Sequence, residues 1–315
     1  MDEAERDRTA YDLMTTVSVL VDDLDPAVDV LCESLGVPRP RPQSLREGPG
    51  IRAMFCRVHP KYAVAPTFLE LVSAGPVDDI GSAGGVFPVV EIAARQGSRP
   101  VKWHATELSM PDDTLLDLSA HLDDLGVPHG FVPSDHRDRF FLGGDPSISY
   151  DATADAGLVI EAGKSSHLGL AEDAFSAPAD IPPDAGPATM VRIVAREYLV
   201  DDLDETLGVL ERNLRWTPAS LAEREGARRA VMPFRAPRSA SLELVEPSGP
   251  GRVADEYDEV GAGAWTIRIS VVDVDAKADD LTARGTPFTV QEGVIRPDRD
   301  STLLVPFEFV AATRR

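Results

Sequence analysis

Two stretches, Val21-Asp22-Asp23-Leu24-Asp25 and Val200-Asp201-Asp202-Leu203-Asp204, spell the same phrase within one 315-residue chain. Each follows an alternating apolar run of the kind that makes a half-buried strand, and each opens a run with helical spacing. In the first copy Asp25-Pro26 reads as a helix start, an acid at the cap followed by proline in the first turn. Ala27 to Leu35 continues that helix and Gly36 stops it. Two looser copies share the grammar. Met110-Pro111-Asp112-Asp113 precedes a helix from Leu115 to Leu125 ended by Gly126, and Val272-Asp273-Val274-Asp275 precedes one from Ala276 to Arg284 ended by Gly285. Strand–aspartate–helix units therefore begin near residues 15, 104, 191 and 265.

Each unit runs on through β-type segments to a last strand with a glutamate in it. These strands are Thr67 to Val72 around Glu70, Leu158 to Ala162 around Glu161, Ser241 to Val245 around Glu243, and Phe307 to Val310 around Glu308. The chain thus reads as α+β, β-α-β-β-β four times over. Length alone suggests about two domains. The repeat divides them into residues 1–165 (modules at about 10–75 and 100–165), a linker at 166–189 rich in Ser and Pro, and residues 190–315 (modules at about 190–248 and 262–315). Phe87 to Gln96 is expected to be an extra helix between the first two modules.

Charge and composition exclude several classes. The 53 acidic and 31 basic side chains leave a net −22, which repels DNA and RNA. The acidity is uneven, with 31 acids against 14 bases up to residue 185 and 22 against 17 beyond it. No apolar run is long enough to cross a membrane as a helix. Cys32 and Cys56 make no disulfide framework, and Met1 to Arg8 is charged throughout, unlike a signal peptide, so the cytoplasm is the expected compartment. Gly81-Ser82-Ala83-Gly84-Gly85 opens no phosphate-binding helix, and no dinucleotide site is expected.

The repeated strand–Val-Asp-Asp-Leu-Asp–helix start and the Leu-Glu-Leu last strand resemble the vicinal oxygen chelate superfamily. That group includes glyoxalase I, extradiol dioxygenases, fosfomycin-resistance enzymes and bleomycin-resistance proteins. The resemblance covers nearly the whole chain, and it implies that paired modules curl into two half-open barrels. It also implies, for metal-dependent members, a ligand seven residues before the motif aspartate, usually His, and a Glu from the last strand. Counting back from Asp23, Asp112, Asp202 and Asp273 gives Thr16, Ala105, Ala195 and Thr266. No imidazole stands at any of the four places, while all four last-strand glutamates are present. His104 is off by one residue, and alternation turns it to the apolar face with Thr106, Leu108 and Met110 unless a β-bulge re-aims it. All six histidines lie at or before residue 167, which argues against extradiol dioxygenase chemistry in the second pair. A divalent ion (Zn, Fe, Ni or Mn), if bound, belongs to the first pair, with Glu70, Glu161 and His104, or loop histidines His59 and His136, as ligands.

Alternation also sorts the cavity residues. Thr266, Arg268 and Ser270 form the polar face of their strand, and the same parity sends Ala195 and Glu197 inward. The second cavity then holds Glu197, Glu243, Arg268 and Glu308, with Arg268 expected to offset Glu308 or Glu243. The first holds Thr16, Ser18, Glu70, Ala105, Glu107 and Glu161, with no inward Arg or Lys on those strands. Trp103 and Trp265 either line a mouth or pack in the core. Two functions follow. One is a protein like the bleomycin-resistance proteins, holding a small organic molecule, cationic or aromatic, without the His metal site. The other is a metal-dependent lyase or isomerase of the glyoxalase type with Glu70, Glu161 and Glu107 as catalytic groups. A protein-interaction scaffold is a third. The expected partner is a small molecule, not nucleic acid or membrane, and the chain is expected to be a monomer or homodimer.

Overall fold

The computed structural model describes residues 10–48, 50–61, 64–75, 89–132, 139–143, 150–168, 181–182 and 185–312. Their strands form two eight-stranded mixed sheets built alike. The first contains β1 (Leu13–Leu20), β2 (Leu45–Gly48), β3 (Ile51–Cys56), β4 (Phe68–Ala74), β5 (Thr106–Met110), β6 (His129–Val132), β7 (Arg139–Leu142) and β8 (Ile160–Lys164), in the order β2-β3-β4-β1-β5-β8-β7-β6. The second contains β9 (Met190–Leu199), β10 (Ser220–Arg224), β11 (Ala227–Met232), β12 (Ser241–Pro247), β13 (Gly263–Val271), β14 (Phe288–Gln291), β15 (Val294–Pro297) and β16 (Phe307–Ala311), in the order β10-β11-β12-β9-β13-β16-β15-β14. The helices are α1 (Leu24–Ser34), α2 (Val89–Arg95), α3 (Asp112–Leu125), α4 (Leu203–Leu214), α5 (Arg252–Val260) and α6 (Val274–Arg284). Each sheet is two βαβββ modules. The first and last strands of a module run parallel, because a helix carries the chain back between them, and the two first strands of a pair run antiparallel.

The repeated aspartates cap the helices, two residues earlier than expected in the first module. Asp23, not Asp25, is the cap. It is extended (φ −141°, ψ 132°), and its carboxylate accepts the Asp25 N–H at 3.2 Å. Leu24 must belong to the helix because its side chain is part of the buried stripe with Ala27, Val28 and Leu31, and this leaves Asp25 and Pro26 in the first turn. Asp202 and Asp273 accept N–H groups from Glu205 and Ala276, each at 2.9 Å. Such a cap is worth about 1 kcal/mol. In the second module Pro111 stands at the cap and no side chain replaces the carboxylate.

The helices α1 and α3 cover one face of the first sheet, bearing Val17, Val19, Leu69, Leu71 and Leu108. The opposite, concave face is approached by the short helix between modules. In the first half this is α2, whose Val89 packs on Ala53 and Val72. In the second half it is α5, which the sequence reading did not anticipate. Its Val253 and Val260 bury against Leu199, Val245 and Trp265. The signal was a one-sided spacing of Val253, Tyr257 and Val260 between Gly251 and Gly261, hidden in a charged run.

The helix faces turn toward one another where the halves meet. The carbonyl end of α1 is closed by donors from the fourth module. Lys277 Nζ donates to Leu35 O at 2.7 Å, Arg284 Nη1 to Cys32 O and Glu33 O at 3.1 and 3.2 Å, and Thr286 Oγ1 to Ser34 O at 2.8 Å. Cations at that end satisfy orphan carbonyls and oppose the helix dipole. Gly263 (φ +133°) lets Trp103 approach so closely that a Cβ would lie 2.3 Å from its ring.

Loop 150–159 sets the entry to β8, and thereby Glu161. Its fixed point is Asp155, fully buried, which accepts hydrogen bonds from the Tyr150 hydroxyl and from the N–H groups of Gly157 (3.1 Å) and Ile160 (2.7 Å). Burial pushes its carboxyl up to about 7, against the pull of those bonds. A carboxyl raised in the fold stabilises below its unfolded value, and that stabilisation is lost as pH rises through the folded value. Relative to an Asp155→Asn variant, the protein should therefore lose unfolding free energy as pH rises from about 4 to about 7, with a flat difference on either side. Urea melts of both proteins at several pH values test this, and a flat difference throughout contradicts it.

Candidate functional site

Directly paired residues share a face, so register identifies what the first half-barrel presents. Ser18 pairs with Glu70, Thr16 with both Phe68 and Glu107, and Glu107 with Glu161. Phe55 pairs with Glu70 and Phe141 with Glu161. The concave face thus collects Glu70, Glu107 and Glu161 among Phe55, Phe68 and Phe141. Glu70 and Glu161 are buried and Glu107 half-buried. The face is not free of basic groups, as parity suggested. Arg57, just past β3, lays its guanidinium over the Phe68 ring at 5.0 Å.

Ser18 serves the backbone. Its hydroxyl accepts the N–H groups of His104 (2.9 Å) and Ala105 (2.8 Å) and donates to Ala105 O (2.8 Å), pinning β1 to the start of β5. Ala105 is buried beside it. Thr16 is buried with its hydroxyl unpartnered.

The second half-barrel is filled from within. Arg268 reaches three carboxylates at once, Nη2 to Glu197 at 2.5 Å, Nε to Glu308 at 3.1 Å and Nη1 to Glu243 at 3.5 Å. The sequence reading paired Arg268 with Glu308 or Glu243 but did not find its companions. Arg229 from β11 meets Glu197 at 2.9 Å, and Arg252 of α5 and Arg296 of β15 meet Glu308 at 3.0 and 2.8 Å. Burial alone would raise the Glu308 carboxyl, but Arg268, Arg252 and Arg296 outweigh it and hold it below its ordinary value. Glu243 stays raised, by burial first and then by the Glu197 charge beside it. Arg268, despite burial, is held firmly protonated by its three acids. Between Ala264 and Ile267 a bulge sets both Trp265 and Thr266 opposite Glu197. Trp265 therefore packs under α5 in the core, and the Thr266 hydroxyl is buried without a partner. Ala195 is buried opposite Arg268.

The donors expected to hold a divalent ion do not converge. Among the described residues no three His, Cys, Asp or Glu side chains form a metal-holding group, so Glu70, Glu161 and His104 are not one. The two central strands carry Thr16 and Ala105 where such a group would need ligands. His104 precedes β5 and is buried, and Thr106, two residues on, meets Tyr198 of the other half at 2.6 Å. His59 accepts the Lys61 N–H through Nδ1 at 3.1 Å, and His136 lies outside the described residues. No reaction step is derived through a metal here.

A third concavity had no counterpart in the sequence reading, because it exists only between the halves. It is a cleft of about 1000 Å³ where Gln96, Trp103 and Tyr150 face Asp202, Thr206 and Arg212. Arg99 lines it but is spent as a clamp, donating to the carbonyls of Val260 at the end of α5 and of Ala262 and Ala264 beyond it.

Removing one member of a buried charge cluster leaves the others uncompensated. Arg268→Met should cost about 3–5 kcal/mol of unfolding free energy at pH 7. The loss should shrink at acidic pH as Glu243 and Glu308 take up protons. Urea titrations at pH 7 and pH 4.5 measure both, and a variant as stable as the parent at pH 7 contradicts the arrangement.

No protein-family model and no curated protein matches the chain. Among solved structures, a triple mutant of 4-hydroxymandelate synthase from Streptomyces coelicolor is similar over 97% of this chain and 94% of that chain, with a TM-score of 0.57 at 15% identity. Methylmalonyl-CoA epimerase from Mycobacterium tuberculosis is similar over 42% of this chain and 94% of its own, with a TM-score of 0.36 at 18% identity. A variant of the Streptomyces coelicolor epimerase covers 39% of this chain and 99% of its own, with a TM-score of 0.35 at 20% identity. The fourfold module, the two sheets of identical order and the likeness along almost the whole chain agree: this protein has the vicinal oxygen chelate fold.

Proposed function

We propose that the protein binds a small organic cation with an aromatic or flat portion on the concave face of its first half-barrel. The observation that carries this reading is the register that gathers three carboxylates and three phenylalanines on one face. On the second sheet the equivalent face is occupied by Arg268 and the acids it meets. On the first, register brings Glu70, Glu107 and Glu161 together with three phenylalanines. Carboxylates beside aromatic faces attract a cation twice over, through charge and through the ring quadrupole. No step in this reading requires a metal, and no turnover is assigned.

The test is isothermal titration with a panel of aromatic ammonium and guanidinium compounds and their neutral isosteres. Cations should bind one per chain and the isosteres should not. Glu161→Gln should weaken binding about tenfold, the worth of one lost charge interaction in a half-buried site. If no cation in the panel binds, or if binding survives undiminished in the Glu70→Gln/Glu161→Gln double variant, the reading is wrong.

A further inference from the structure

The cleft between the halves collects hydrogen-bond donors that the protein itself does not use. Arg99 and Trp103 line it from the first half, with the Arg99 guanidinium 5.4 Å from the Trp103 ring. The clamp made by Arg99 engages three of the five N–H donors of a guanidinium. Nη1 gives two, to Val260 O and Ala262 O, and Nη2 gives one, to Ala264 O at 3.1 Å. The Nε–H and one Nη2–H remain, on adjacent nitrogens, and Nε is buried without a partner. Trp103 is 5% exposed, and its indole nitrogen is likewise buried without a partner. An indole N–H can only donate, so each unmet group at this place calls for an acceptor.

The charge here points the same way. Arg196 of β9 is fully buried, its guanidinium 5.6 Å from the Tyr198 ring, and Trp103 meets that same ring edge-on at 5.9 Å. Arg196 Nε and Nη2 are buried without partners, and Nη1 reaches Trp265 O only at 3.5 Å. Burial lowers the pKa of both arginines, and the neighbouring charge that acts on Arg99 is Arg196, a second cation. Among the described residues no acid moves the pKa of either one. Desolvated guanidinium groups without a carboxylate are costly, and an anion seated beside them offsets that cost.

The rest of the cleft narrows the kind of anion. Its volume of about 1000 Å³ suits a small organic molecule, and Ile92, Leu158 and Val209 line it beside an apolar body. Asp201, Asp202 and Glu205 line it too, Asp201 holding the Tyr257 hydroxyl and Asp202 capping α4. These acids repel a dianion about twice as strongly as a monoanion, which disfavours phosphate.

We propose that this cleft binds a small organic carboxylate, whose oxygens accept the free N–H groups of Arg99 and the indole N–H of Trp103. Donors on adjacent guanidinium nitrogens are the fork that a carboxylate takes with both oxygens, and a neutral amide offers only one oxygen and no charge. Arg196 adds positive potential to the same place. Because Arg99 also ties the first half to residues 260–264 of the second, the ligand sits at the joint between them.

The experiment is isothermal titration of the full chain with benzoate, 3-phenylpropionate and hexanoate, each beside its primary amide, and with inorganic phosphate. At least one carboxylate should bind one per chain and at least tenfold tighter than its amide, the worth of one charge-assisted hydrogen bond. Phosphate should bind more weakly than that carboxylate. Arg99→Gln should abolish the binding. Trp103→Phe, which keeps an aromatic ring and removes the N–H, should weaken it about tenfold and narrow its margin over the amide. Should Arg99→Gln fail to fold for want of its clamp, Trp103→Phe still decides the placement. Absence of carboxylate binding, or amides that bind equally well, overturns the proposal. Phosphate binding tighter than every carboxylate overturns the ligand class. Unchanged affinity and margin in folded Trp103→Phe overturn the placement.

Discussion

Each half of the molecule hangs on one antiparallel seam, β1 against β5 and β9 against β13. That seam joins two modules whose own first and last strands run parallel, and it fixes which residue of each strand faces inward. Because side chains alternate with a period of two, a slip of one residue would exchange the helix face for the concave face along a whole strand. Both seams carry a register shift at the same place in the repeat, at Thr15 between Met14 and Thr16, and at Val194 between the partners of Arg268 and Ile269. Thr15 uses its hydroxyl on Glu107 O at 3.1 Å, and Ser18 binds the backbone at residues 104 and 105. These bonds hold the register that brings Glu107 beside Thr16.

On this common frame a few residue choices give the halves different interiors. At paired positions the first half has Ser18 and Glu107 where the second has Glu197 and Arg268. The second half also recruits Arg229, Arg252 and Arg296. Its buried carboxylates meet arginines from within the same half. A cluster of this kind costs desolvation for every ion, and Glu197 Oε2, Glu243 Oε2 and Arg229 Nε are buried in it without a hydrogen-bond partner. The first half presents Glu70, Glu107 and Glu161 on its concave face among Phe55, Phe68 and Phe141.

Much of this was legible without coordinates. The repeated Val-Asp-Asp-Leu-Asp phrase located the helix starts, and alternation put Glu70, Glu107 and Glu161 on one face and Glu197, Glu243, Arg268 and Glu308 on another. Those inferences depend only on local periodicity. The misses had physical causes of a different kind. The cap moved from Asp25 to Asp23 because burial of Leu24 overrides a local signature. Between Ala264 and Ile267 a bulge adds a residue to β13, which a strict period of two cannot express. Arg229 and Arg252 arrive from an outer strand and an unanticipated helix, and no spacing along the chain connects them to Arg268.

By itself, then, the sequence determined the fourfold module, the strand faces and the separation of acidic residues into two groups, since each follows from neighbours a few positions apart. Tertiary structure alone decided which acids find cations, that Ser18 is spent on the backbone, that α5 packs on the second sheet, and that a cleft opens between the halves. Those outcomes depend on distances between segments far apart in the chain. A charge is free or neutralised according to what lies within a few ångströms of it, and only the folded arrangement sets that distance.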